Sequence, residues 1–289
     1  MIPVQLKLRL WTQIFRKLPN FKGKTRLANI MLGGERDISD VQVKAFDGSY
    51  YLIPSLGEFL GLSLFATGCY EKEEVTFILD RLRSKDGFFL DIGANIGLYS
   101  ITAAKALAEN SKIVAVEASP RIFTYLAHNA ELNRSKGVRL LQCAVTDEDN
   151  SCICFTEPPA TSFAMGSITD RFGKGDKVSV GTKTIDTIIE EERVGEVSAV
   201  KIDIEGYEAA AFKGAKKLLS GKNAPLILFE FLDWAENNAK DTTAGDAQRI
   251  LRDAGYDIWK FKDYIDGKKP LSAIVKEGSL NLVAVKNGN

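Results

Sequence analysis

From residue 88 onward the chain alternates short, almost wholly apolar runs with longer segments whose apolar residues recur at helical spacing. The apolar runs are FFLDIG (88–93), IVAVEA (113–118), VRLLQCAV (138–145), AVKIDI (199–204), LILFEF (226–231), YDIWKF (256–261) and LNLVAV (280–285). Strands apolar on both sides need cover on both faces, which predicts an α/β fold with a seven-stranded, mostly parallel sheet between helices. Crossover helices are predicted at about 98–108 and 121–132, the second stopping near Asn133 and Gly137. Residues 147–181, with Pro158-Pro159 and several Gly, Ser and Thr, fall where a doubly wound sheet reverses direction and read as an irregular insertion on the substrate side.

Ahead of the sheet the pattern differs. In residues 4–18, Leu6, Leu10, Ile14 and Leu18 stand four apart with Lys7, Arg9, Arg16 and Lys17 between them, a basic amphipathic helix, although Leu6, Leu8 and Leu10 also alternate as in a strand. Such a helix either docks on the rest of the chain or meets a membrane surface or an anionic substrate carrier. VQVKAFDGSYYLI (41–53) reads as a small hairpin turning tightly at Asp47-Gly48. Val75, Ile78, Leu79 and Leu82 then predict a helix over 71–84. The expected division is a helical and hairpin extension over 1–64 and a main domain over 65–289.

Charge sharpens that division. The chain of 289 residues carries 38 Lys+Arg and 38 Asp+Glu, so it lacks the positive field that sequence-independent nucleic-acid binding requires. Residues 1–36 nevertheless hold eight basic side chains against Glu35 alone, a net of +7, which leaves −7 for the remainder. Four cysteines (Cys69, Cys143, Cys152, Cys154) make no disulfide framework or zinc pattern, and predict reduced thiols in the cytoplasm. His128 is the only histidine; multi-histidine metal sites drop out, and Ser-His-Asp or Cys-His catalysis would have to use this one residue. It reads as a packing or surface residue.

Ligands of doubly wound sheets bind outside the carboxyl ends of the strands. The first end reads Asp91-Ile92-Gly93-Ala94-Asn95-Ile96-Gly97, a turn that lets backbone approach a ligand closely. Its spacing differs from the G-x-G-x-x-G loop that holds a dinucleotide pyrophosphate, and Asp91 suits a ligand bearing a positive ammonium or sulfonium centre. The second end offers Glu117, 26 residues after Asp91, placed to accept both hydroxyls of a ribose. KIDIEGYE (201–208) sets Lys201, Asp203 and Glu205 on one side of an extended strand, charges that are costly to bury unless they pair or serve a ligand.

FLDIGANIGLYS (89–100) and VAVEASPRIFTYLAHNAELN (114–133) resemble S-adenosylmethionine-dependent methyltransferases, and KIDIEGYE narrows the resemblance to the FkbM family. The likeness runs from FATGCYE (65–71) to LILFEF (226–231) and implies the Rossmann-like class I methyltransferase fold with S-adenosylmethionine as cofactor. By that resemblance Asp91, Gly93, Asn95 and Gly97 line the methionine portion, Glu117 holds the ribose, and the backbone of Cys143-Ala144 lies near the adenine. Many methyltransferases carry an acid where Cys143 stands, so this chain departs from the pattern there. The resemblance further implies hydroxyl acceptors on sugars, glycans or natural products.

Nucleobase N-methyltransferases typically carry an Asn- or Asp-Pro-Pro-aromatic motif where this chain has Asp203-Ile204-Glu205-Gly206, a departure that favours an oxygen nucleophile. The catalytic candidates are Asp203 as general base, then Glu205, with Lys201 neutralising a carboxylate. Glu230 and Asp233 could join Asp203 around Mg²⁺, but nothing in the sequence demands a metal and none is assigned. Trp234 and TSFAMGS (161–167) are expected on the substrate side, with Ser167 a candidate acceptor contact. The rival readings are a nicotinamide-dependent oxidoreductase, disfavoured by the loop spacing, and a module that binds cofactor or glycan without turnover. Expected partners are a small-molecule or glycan acceptor, no nucleic acid, and membrane or anionic-surface contact through residues 1–36.

Overall fold

The computed structural model describes residues 8, 11–12, 14–15, 17–19, 21, 23–32, 38–108, 112–157, 159–165 and 176–287. Helix α1 (Lys24–Leu32) is followed by the hairpin β1 (Ser39–Lys44) and β2 (Tyr50–Ser55), then α2 (Phe59–Thr67) and α3 (Lys72–Ser84). The alternating unit comes next: β3 (Phe88–Ile92), α4 (Leu98–Leu107), β4 (Ile113–Glu117), α5 (Pro120–Leu132) and β5 (Val138–Gln142). After β6 (Ala144–Val145), β7 (Cys152–Glu157) and β8 (Asp176–Lys183) come α6 (Ile185–Glu191), β9 (Val197–Ile202), α7 (Glu208–Lys213), α8 (Lys216–Ser220) and β10 (Leu226–Leu232). The chain closes with α9 (Asp233–Asn238), α10 (Asp246–Asp253), β11 (Tyr256–Lys260), α11 (Phe261–Ile265) and β12 (Ser279–Lys286).

The main sheet has seven strands in the order β11-β12-β10-β9-β3-β4-β5. Strands β10, β9, β3, β4 and β5 run parallel, while β12 is antiparallel to both its neighbours. This is the doubly wound α/β arrangement of class I methyltransferases, with strand order reversing between β3 and β9. At that seam Asp91 lies opposite Lys201. Alternate strand residues feed separate cores on the two faces. Phe89, Ala199, Leu226 and Leu228 pack with the hairpin, α2 and α4, whereas Leu90, Val200, Ile227 and Phe229 pack with α6, α7 and α10. Both faces of the central strands are therefore apolar, which is why the strands read as continuous apolar runs.

Three local readings of the sequence change. The hairpin does not turn at two residues: Lys44 pairs with Tyr50, five residues intervene, and only Gly48 adopts positive φ (84°). Asp47 instead accepts a hydrogen bond from Ser49 N at 2.9 Å, an Asx-type turn that competes with the tight one. The run 138–145 breaks at Cys143, so β5 stays in the main sheet while β6 leaves it to pair with β8. Within 147–181, Cys152–Glu157 and Asp176–Lys183 are regular, with register from Cys152↔Gly181 to Glu157↔Asp176. Polar and β-branched residues alternating in an exposed ribbon mimic loop composition.

The extension is joined to the sheet by paired amides on α5. Buried Asn129 accepts from Leu52 N (2.7 Å) and donates to Leu52 O (3.2 Å) and Ile96 O (3.0 Å). One turn later Asn133 repeats the exchange with Tyr50, at 2.8 and 2.6 Å. Two side chains thus satisfy the backbone of β2, which would otherwise present unpaired groups, and tie it to the turn after β3. No described helix is long and apolar enough to cross a membrane.

Candidate active site

A cleft opens at the carboxyl ends of β3, β4 and β9, with a volume of about 1100 Å³ counting its solvent-open mouth. At its floor the chain leaves β3 through Gly93 (φ 74°) and Asn95 (φ 51°). Gly93 N and Ala94 N both donate to Val116 O at 2.9 Å. A Cβ on Gly93 would stand 1.8 Å from the carbonyl oxygen of Asp203, so glycine is required for the β3 and β9 turns to meet. Gly97 (φ 92°) lets α4 start close against Ile101 and Leu126.

Glu117 ends β4 against this turn. Its Oε2 accepts from Asn95 N and its Oε1 from Ser119 N, each at 2.9 Å. Burial raises its pKa to about 7, opposed by those two backbone donors. Ser119 caps α5 by accepting from Ile122 N (3.1 Å) and donates its hydroxyl proton to Glu157 (2.6 Å), anchoring the ribbon to the cleft wall. Gly93, Asn95, Glu117, Cys143 and Ala144 all line the cleft. Asp91 and Gly97 stand behind that wall. Asp91 is fully buried, its Oδ2 bonded by Ser100 N (3.1 Å) and Ser100 Oγ. Its Oδ1 has no partner, and burial raises its pKa against the pull of Lys201.

Across the seam Lys201 is buried, and its ammonium makes three contacts. It donates to Gly93 O at 3.0 Å, pairs with Asp203 Oδ2 at 3.3 Å, and lies 5.3 Å from the centre of the Tyr99 ring. Burial alone would depress its pKa, but Asp203, Asp91 and Glu71 hold it above the usual lysine value. The expected strand alternation stops at Ile202. Asp203 lies just past the strand, Glu205 takes a left-handed φ of 54°, and Gly206 packs against the Ala235 backbone where no Cβ would fit. The turn still carries Asp203 and Glu205 into the cleft wall.

One side-chain oxygen from each of Asp203, Glu205 and Glu230 lies within 4.8 Å of the others, close enough to share a cation. Asp233, which the sequence allowed in such a group, is elsewhere: it accepts from Gly278 N (2.9 Å) and Trp234 N (2.5 Å) at the start of α9. Burial, then Asp203, pushes Glu205 up to about 9. The same causes, together with a hydrogen bond to Asp203, push Glu230 up to about 11. Both carboxyls are thereby driven toward the protonated form, whereas Asp203 is the member of the group that an ammonium touches.

Sequence reasoning missed several lining residues. Tyr70, Glu71, Tyr99, Phe155 and Tyr207 line the cleft with the acids, and Tyr99 donates its hydroxyl proton to Glu71 (2.8 Å). They converge from separate elements at no common spacing, and the left-handed Glu71 (φ 44°) has no mark in the sequence. Phe163 is the described lining residue from the 161–167 stretch, and Ser167 lies outside the described residues. Trp234 is half-buried and away from the lining, His128 is exposed on α5, and Cys152 and Cys154 face solvent.

A family model for the methyltransferase FkbM domain matches residues 91–258, which span the glycine turn, Glu117 and the Lys201–Glu208 segment. The chain belongs to the FkbM methyltransferase family. Among its relatives, methyltransferase sdnD of Sordaria araneosa is 26% identical over 195 residues, covering 57% of this chain and 72% of its own length. Methyltransferase 1 of Beauveria bassiana (strain ARSEF 2860) is 25% identical over 174 residues, covering 54% and 66%. Among solved structures, the precorrin-6y C5,15-methyltransferase of Geobacter metallireducens has a TM-score of 0.44 at 17% identity, covering 76% of this chain and 90% of its own. The O-methyltransferase of Bacillus cereus, solved with SAH, has a TM-score of 0.42 at 12% identity, covering 96% and 98%. These scores are low, and the fold stands on the strand order instead.

S-adenosylmethionine is the methyl donor of this FkbM methyltransferase. The cleft fits it. Gly93 and Asn95 line the cleft beside Glu117, and its wall carries acidic side chains with Lys201 as the one basic side chain among the described lining residues, which suits a positively charged donor. When bound, the donor supplies a methyl group already activated by its sulfonium.

Proposed function

We propose that the enzyme methylates a hydroxyl oxygen of a sugar, glycan or natural-product acceptor, with Asp203 as general base. In this reading Gly93 and Asn95 hold the methionine end of the donor, Glu117 its ribose, and the Cys143-Ala144 backbone its adenine, while Asp91 and Gly97 shape the turn from behind. Aligning an acceptor oxygen and excluding water supplies up to ~7–11 kcal/mol of barrier reduction, so positioning outweighs acid strength. The observation that carries the proposal is the Lys201 ammonium, which grips Gly93 O and the Asp203 carboxylate together. One buried cation thereby fixes the base relative to the donor turn.

Asp203 accepts the hydroxyl proton at its carboxylate as the oxygen attacks. The side chain is one-third exposed, so an acceptor reaches it from the mouth. Neutral Glu205 and Glu230 stand beside it as hydrogen-bond donors that orient acceptor oxygens, and Leu60, Tyr70, Phe163 and Tyr207 supply apolar surface for the acceptor's faces.

The test is incubation with labelled S-adenosylmethionine and a panel of hydroxylated glycans and natural products, with mass spectrometry of the products. The expected result is an added methyl on oxygen, with kcat lowered by roughly 10²–10⁴-fold in Asp203→Asn at unchanged donor affinity. Transfer to nitrogen, or full turnover by Asp203→Asn, would overturn the proposal.

A further inference from the structure

We propose that the outer face of the N-terminal segment docks on an anionic lipid membrane. The inner face of this segment is already used. Leu8, Phe15, Ala28 and Leu32 are buried in the core formed with the hairpin and α2, and Phe15 meets Phe65 edge-on at 6.2 Å between ring centres. Folding therefore makes no demand for large apolar residues on the opposite side, yet they are concentrated there. Of the nine large hydrophobic side chains that are exposed among the described residues, Ile14, Leu18, Phe21, Ile30 and Met31 fall within a single eighteen-residue stretch, and Ile30 is 68% exposed.

Charge decides what would cover them. Residues 1–34 contain no Asp or Glu, while the same stretch supplies seven of the chain's cations. Exposed Lys17 stands beside exposed Leu18, and exposed Arg26 lies one helical turn from Ile30 on α1. Lys24 differs: it is buried and donates to Leu18 O at 2.9 Å, holding the segment together. Cations interleaved with exposed aliphatic and aromatic side chains match the boundary between headgroups and acyl chains, where both kinds of group find partners. A nucleic acid would pair with the cations but leave Ile30, Met31 and Phe21 in water. The remainder of the chain carries −7, so an anionic surface would repel it and turn this segment inward.

Co-sedimentation of the whole protein with vesicles tests this, using equal parts phosphatidylglycerol and phosphatidylcholine against phosphatidylcholine alone, at low and high salt. The expected result is binding to the anionic vesicles about tenfold or more tighter than to the neutral ones, weakening as salt rises. The double variant Ile30→Asp/Met31→Asp should lose about tenfold or more of that binding and keep its S-adenosylhomocysteine affinity. Should it lose that affinity too, Arg26→Glu, at an exposed position, replaces it and should weaken vesicle binding severalfold. Equal or absent binding to both vesicles, variants that bind like the parent, tighter binding to duplex DNA than to anionic vesicles, or a vesicle-free dimer abolished by Ile30→Asp would each overturn the proposal.

Discussion

The two ends of the cleft solve the problem of buried carboxylates in opposite ways. At the Glu117 end each carboxylate oxygen meets a backbone N–H at 2.9 Å, so the geometry is complete without any further partner. At the Asp203 end one oxygen from each of three carboxyls lies within 4.8 Å of the others, Asp203 is the one that pairs with Lys201, and Glu205 Oε2 has no partner. Behind it Glu208, also buried, bonds Ile204 N at 2.9 Å through one oxygen and leaves the other unpartnered. At the first end fixed backbone dipoles offset only part of the desolvation cost, and burial still holds the Glu117 pKa up at about 7. At the second, burial and the neighbouring carboxyls raise the pKa values of Glu205 and Glu230, and in the proposed reading this is where the acceptor's hydroxyl would give up its proton.

The comparison breaks most sharply at the residue both ends share. Gly93→Ala would push a methyl to 1.8 Å from Asp203 O at a φ of 74°, prying the two turns apart. A loss of about 3–5 kcal/mol in urea unfolding is expected, along with loss of cofactor binding; an undisturbed variant would show that the turns are not in register. Glu205→Gln sharpens the second end. Burial and Asp203 raise its folded pKa to about 9, so from the ordinary carboxyl range up to pH 9 the native state binds more protons than the unfolded one, and stability falls as pH rises through that window. Below the unfolded pKa the group is neutral in both states and the substitution should matter little. At pH 9 Glu205→Gln should therefore be more stable than the parent by roughly 1–3 kcal/mol. A difference independent of pH would show that Glu205 is solvated.

The sheet was legible because buried parallel strands leave an apolar signature, and each of the seven runs from FFLDIG to LNLVAV contributed one strand to it, although the end of 138–145 left as β6. The ribbon of β7 and β8 was not read as strands, since Cys152, Cys154, Lys177 and Ser179 are exposed and its apolar side is only Ile153, Phe155, Val178 and Val180 in a small cluster of its own. At the cleft, the residues named from strand ends were found at strand ends, because a charged side chain that finishes an apolar run is costly to bury unless a ligand or an ion partner meets it there. Glu205 came to the cleft by a left-handed turn, which strand alternation does not describe. Tyr70 and Glu71 arrive from the approach to α3 and Tyr99 from α4, and they meet only through tertiary packing, so no local pattern announces them. Glu230 was named for a cation with Asp233; it joined Glu205 instead, because Asp233 is taken up by the Gly278 and Trp234 amides.

Calorimetric titration with S-adenosylhomocysteine, on the parent protein and on Glu117→Gln, tests the central claim without needing the acceptor. Binding by the parent, weakened by about tenfold or more when one charged acceptor is lost, is the predicted result. No binding by the parent, or equal affinity in Glu117→Gln, would contradict the account.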